Sequence, residues 1–170
     1  MTVKELATLY DYGYWANGRL CAVLSRMPND DFTRPVAGSY GSLRNTLVHM
    51  LSAEAGWLDR CGGPSRGPKL DAGDFPTLAS VTERWALVEQ QVRGFLGTLG
   101  DDDLERRVEF NIGIDGAPHV MSIGEMLHHA AIHNVHHRGQ IALLLRMLGH
   151  VPGNFDALFY YGEKAAASSS

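Results

Sequence analysis

Four stretches of this chain place apolar residues at alternating steps of three and four, and each such stripe is one face of a helix that has to be covered. The first runs over residues 3–26 through Val3, Leu6, Tyr10, Gly13, Asn17, Leu20 and Leu24, with Thr2 as its N-cap and Pro28 just past its end. The second, from about Ser42 to Cys61, puts Leu43, Leu47, Met50, Leu51 and Leu58 on a broad apolar face and His49, Ala53 and Trp57 along its flank. Cys61-Gly62-Gly63-Pro64 stops it. The third, Leu78 to Leu99, repeats the rhythm through Val81, Trp85, Val88, Val92 and Phe95, with Gly100 where a C′ residue belongs. Ser122 and Glu125 form a capping box for the fourth, whose stripe is Ile123, Leu127, Ala130, Asn134, His137, Ile141, Leu144 and Leu148, ended by Gly149.

Between the stripes, Asn29 to Tyr40 is rich in Asp, Pro, Gly and Ser and reads as a connector, and the Gly- and Pro-rich segment 62–76 reads as loop. From Arg107 to Met121 the period changes to two, through Val108, Phe110, Ile112 and Ile114, and Asp115-Gly116 offers a tight turn before His119-Val120-Met121, which predicts a small hairpin. A short helix is expected from Phe155 to Lys164. The 170 residues, 45% apolar and 20% charged, suffice for one core. The expectation is an all-α, single-domain four-helix bundle over residues 1–164, with a small β-hairpin before the last long helix and a frayed tail at 165–170.

A formal charge of −4, with no run of like charges beyond Asp101-Asp102-Asp103, provides no field to attract phosphate backbones or anionic lipid. No stretch approaches the roughly 20 apolar residues of a membrane span, and the first residues lead straight into an amphipathic pattern, so the expected location is the cytoplasm. Cys21 and Cys61 lack any zinc-finger or CxxC spacing and read as two reduced thiols packed as small hydrophobes.

Of eight histidines, five fall between His128 and His137. On a helix, His129, His133 and His137 recur at steps of four along one strip, and imidazoles so spaced can meet on one ion. His133 with His137, or His129 with His133, satisfies this spacing. His137 lies on the core stripe and His133 at its edge, which favours the pair His133 and His137. Buried histidines are held neutral, the form that ligates a metal. His119, His128, His136 and His150 read as surface or singly hydrogen-bonded residues.

A two-histidine pair needs a third ligand. His49, embedded in a long apolar helix, is the natural candidate, although the leucine spacing around it equally allows a border position. The HExxH metalloprotease pattern is excluded, because the residue after the first histidine is Asn134. Glu54 is the acid nearest to the site on the second helix.

Taken together, Tyr14-Trp15-Ala16-Asn17, Ser42-Leu43 through Thr46-Leu47-Val48-His49, Trp57-Leu58 and His133-x-x-x-His137-Arg138-Gly139-Gln140 make the chain resemble the DinB-like, or YfiT-like, metal-binding four-helix superfamily over almost its whole length. The resemblance implies an up-down-down-up bundle and a three-histidine site whose ligands carry over onto His49, His133 and His137. It implies a divalent metal (zinc, nickel or iron) with open positions for water or a substrate, and neighbours with roles of their own. Gly139 would admit a closely packed element, and Gln140 would touch a ligand or a bound water. Relatives include thiol-dependent enzymes, mycothiol-dependent maleylpyruvate isomerase and bacillithiol S-transferases among them, while others are known as proteins induced by DNA damage. The implied function is metal-dependent activation of a thiol or water against a small electrophile, with a low-molecular-weight thiol as co-substrate. The rival is a non-catalytic, metal-binding stress-response module. A homodimer is the implied assembly.

Overall fold

Each of the four stripes is a helix in the computed structural model, which describes residues 1–112 and 117–168. The long helices are α1 (Val3–Leu24), α3 (Leu43–Arg60), α4 (Leu78–Leu96) and α5 (Ile123–Met147), with a short α2 (Asn29–Thr33) between the first two and α6 (Ala157–Ala167) at the end. Strands β1 (Arg107–Asn111) and β2 (Pro118–Ser122) pair antiparallel just before α5, with Val108 opposite Met121 and Phe110 opposite His119. The turn expected at Asp115-Gly116, and Ile114 of the alternating run, lie outside the described residues.

Side-chain caps set the helix starts as the sequence predicts. Thr2 and Ser122 each accept from the backbone of a glutamate three residues on, and that glutamate answers to the cap backbone. At the end of α3, Gly62 adopts φ +87°, the Gly63 N–H reaches the Leu58 carbonyl at 3.0 Å and the Gly62 N–H that of Asp59 at 3.0 Å. This is a Schellman turn, which a residue with a Cβ would strain. It folds the following loop back along α3.

In cross-section α1 neighbours α5 and α4, and α3 neighbours α5 and α4, so the ring order is α1, α5, α3, α4. The first two long helices sit on a diagonal, as in an up-down-down-up bundle. The α3–α5 contact is the most extensive between helices. The buried faces meet in one core that includes Leu6, Leu20, Leu47, Leu51, Val88 and Ile141.

Three expectations change at the connectors. Asn29 to Tyr40 is not all loop, since Phe32 buries itself against the core and turns 29–33 into α2. The third helix stops at Leu96 with Gly97 as its cap, leaving Gly100 to open a 3-10 turn over Asp101–Glu105. The last helix runs over Ala157–Ala167, past Lys164. None of the helices is long and apolar enough to cross a membrane, among the described residues.

Candidate metal centre

The α3–α5 seam carries the histidines. His49 stands on α3, and His133 and His137 stand one turn apart on α5, where the i,i+4 spacing stacks them on one face. Their Nε2 atoms converge. His133 Nε2 lies 3.1 Å from that of His49 and 3.0 Å from that of His137, and the three ligand nitrogens all lie within 4.8 Å of one another. His137 is 5% exposed, and the other two are half-buried.

Burial and mutual proximity hold these rings neutral. Loss of hydration, then His137 and Lys69, pushes His49 down to about 4. Burial first and the neighbouring histidines second push His133 down to about 4, and burial lowers His137. The tautomer of His137 is set from behind, because its Nδ1 lies 2.6 Å from Gln140 Oε1 and donates to it, leaving the Nε2 lone pair facing the cluster.

Three imidazole nitrogens in this arrangement lack protons to share. A hydrogen on His133 Nε2 can serve one neighbour and leaves the other contact without a proton to share, while His133 Nδ1 is buried with no partner among the described residues. A cation removes the conflict. Tetrahedral zinc at ~2.0–2.1 Å from imidazole nitrogen separates its ligands by about 3.3 Å, close to the spacing found, so the donor set fits a divalent ion.

Around the cluster, Tyr40 stacks on His49 with ring centroids 3.9 Å apart and brings its hydroxyl 2.9 Å from His49 Nε2. Gln140 Oε1 also accepts from Ser39 Oγ at 2.8 Å, and its amide nitrogen lies 2.9 Å from His136 Nε2. His49, His133 and Tyr40 open onto a cavity of about 620 Å³ walled by Trp57, Phe110, His129, Arg60, Arg66 and Lys69.

The remaining candidates divide. His129 meets Trp57 edge-on at 4.7 Å with its ring centroid 5.8 Å from that of His133, and it is not among the three ligand nitrogens that converge. His150 bonds Asp31 at 2.9 Å, and His119 stacks on Phe110 and lines the cavity. Among the described residues, and apart from its own helix backbone and chain neighbours, nothing lies within 4 Å of where a Gly139 Cβ would stand, so no described element packs closely there. Glu54 is 2% exposed and faces the core, where it accepts from Tyr14 at 2.7 Å, Asn134 at 2.5 Å and Trp85 at 3.3 Å. It is a buried tie between helices. The residue that would be the glutamate of HExxH thus points inward. Tyr40, Arg60 and Arg66 carry no periodic signal and were outside the reach of the stripe argument.

The sequence profile of the DinB family matches residues 1–166. The chain belongs to the DinB family. It is 23% identical over 159 residues to Protein DinB of Bacillus subtilis (strain 168), an alignment covering 89% of this chain and 91% of that protein. The crystal structure of a DinB-like protein from Bacillus cereus ATCC 10987 superposes with a TM-score of 0.74 at 19% identity, covering 90% of this chain and 97% of the other, a likeness of fold.

Proposed function

We propose that this DinB-family chain is a divalent-metal enzyme in which His49, His133 and His137 hold zinc, nickel or iron beside a substrate cavity, for attack by a thiol or water on a small electrophile. The observation that carries the reading is the convergence of three neutral imidazoles, His133 Nε2 lying 3.1 Å from that of His49 and 3.0 Å from that of His137, on the wall of a cavity of about 620 Å³. When bound, a divalent ion supplies Lewis acidity that makes a thiol or water a better nucleophile at neutral pH. The chain does the rest. Gln140 orients His137, Tyr40 presents a hydroxyl at the mouth, and Trp57 and Phe110 give the cavity an apolar wall where an electrophile would lie.

The test is metal analysis of untagged protein purified without chelating resin. The parent is expected to carry about one equivalent of ion, and His137→Ala and His49→Ala to lose it. Equal metal in parent and variants would refute the ligand set.

The second reading is a non-catalytic metal-binding stress-response module, and the observation in its favour is Tyr40. A phenol oxygen 2.9 Å from a ligand nitrogen is close enough to complete a four-donor, closed site. Tyr40→Phe separates the two: an open centre keeps its metal affinity, whereas a closed one loses roughly tenfold or more in a chelator competition.

A further inference from the structure

The cavity beside the histidines has one wall rich in positive charge. Arg60, in the last turn of α3, and Arg66, returned along that helix by the Gly62 turn, point guanidinium groups at the same spot above Gly56. A Cβ built on Gly56 would stand 3.1 Å from Arg66 Nη1 and 3.3 Å from Arg60 Nη1, so the absent side chain is the space they share. Arg60 Nη1 is anchored on the Gly56 carbonyl at 3.1 Å, and its guanidinium carbon lies 5.0 Å over the Trp57 ring and 5.8 Å from that of Phe110. Lys69 stands on the same cavity nearer the centre, close enough to depress His49.

None of these three cations forms an ion pair among the described residues, and none of the described cavity residues is acidic. Two half-buried guanidinium groups facing each other repel, and loss of water first and Arg66 second hold Arg60 below its ordinary pKa against the pull of Asp59, whose carboxylate accepts, among the described residues, only the Arg66 backbone N–H, at 3.4 Å. An oxyanion between them would remove that cost and take the forked hydrogen bonds that arginine offers to carboxylate or phosphate.

The distance from this wall to the histidines says what shape the ligand has. His49 and Arg60 lie on one helix about three turns apart, roughly 16 Å along its axis. The face between them is aromatic, with Trp57 edge-on to Phe110 at 5.4 Å and to His129 at 4.7 Å.

We infer that Arg60 and Arg66 bind an oxyanion at the far end of an elongated ligand, whose apolar middle lies on Trp57 and Phe110 and whose near end passes Lys69 to reach the three-histidine group. Only the near end rests on the metal reading above. The wall stands on its own geometry.

The experiment measures affinity of the metal-loaded protein for ω-mercaptoundecanoate, its methyl ester, and undecanoate, which has no thiol, at low and high salt. Acid is expected to bind about tenfold tighter than ester, with the advantage shrinking in salt. In Arg60→Gln with Arg66→Gln the ratio falls to about one while metal content stays unchanged. Gly56→Ala is the second variant: it should displace the two guanidinium groups and reduce the acid preference, although alanine favours the helix over glycine. Loss of preference in a variant at least as stable as the parent cannot be ascribed to misfolding. A phosphonate analogue ranks the oxyanion, tighter binding than the acid assigning phosphate and weaker binding assigning carboxylate.

Equal affinity for acid and ester, or a preference that survives both variants, overturns the wall. If instead undecanoate matches its mercapto counterpart and the acid preference holds, the wall stands and thiol binding at the histidines fails.

Discussion

Gln140 takes two hydrogen bonds on one oxygen, from His137 Nδ1 and from Ser39 Oγ, and so joins a helix residue to the loop before α3. Such partners orient a metal-binding imidazole and raise its basicity, and their loss commonly costs 10- to 100-fold in affinity, by about that range of effect. Gln140→Leu is therefore expected to weaken metal binding by roughly 10- to 100-fold in competition with a chromophoric chelator, with the helical circular dichroism unchanged. Gln140→Glu, which keeps the acceptor, should retain most of the affinity. Identical affinity in parent and leucine variant would show that His137 needs no support from behind.

At the scale of the helices, Glu54 gathers hydrogen-bond donors from α1, α4 and α5 onto one carboxylate of α3. Burial pushes its carboxyl above the ordinary range, against the pull of those three donors and of Arg138. The folded chain thus retains a proton that the unfolded chain releases above its own value of about 4.3, and Glu54 loses stabilising effect as pH rises from there toward the raised folded value. Glu54→Gln can accept from Trp85 and Asn134 on its oxygen and donate to the Tyr14 hydroxyl. Denaturant titrations should find it equal to the parent near about pH 4 and the more stable of the two near about pH 8. A variant weaker than the parent at the higher pH alone would reverse the sign. Glu54→Leu strands the buried donors and should cost about 3 kcal/mol. None of this network was legible from the stripes, because its members come from four helices and each occupies an ordinary core position of its own. Helix ends were legible where one residue offered a cap, as at Thr2 and Ser122, and misplaced where Gly100 stood in the C′ position of the stripe although Gly97 caps the helix. Leu96 packs into the core, and the chain turns immediately after it.

Across the whole molecule, what could be read in advance was whatever repeats locally. The four-residue step from His133 to His137 is visible in any helix, and so are the leucine faces, whereas His49 meets His133 across 84 residues and is tied to it only by the docking of α3 on α5. Arg66 joins the cavity from a Gly- and Pro-rich loop with no period at all. That docking gives the last prediction. An ion bound only by the folded chain stabilises it by about 4 kcal/mol at roughly a thousandfold excess over Kd, and each kcal/mol moves Tm by about 2–4 °C at this size. Adding a chelator in excess should lower Tm by about 8–16 °C in the parent and leave His49→Ala unmoved. The same span has a kinetic meaning. Were the proposed ion to bridge the seam, it would hold His49 to His133 and close an 84-residue loop, a reversible staple worth about 4–5 kcal/mol of chain entropy by the reckoning used for disulfides. A bundle stitched in this way would part from its ion by letting one strand of the seam go, with His49 the first ligand to leave and the last to return.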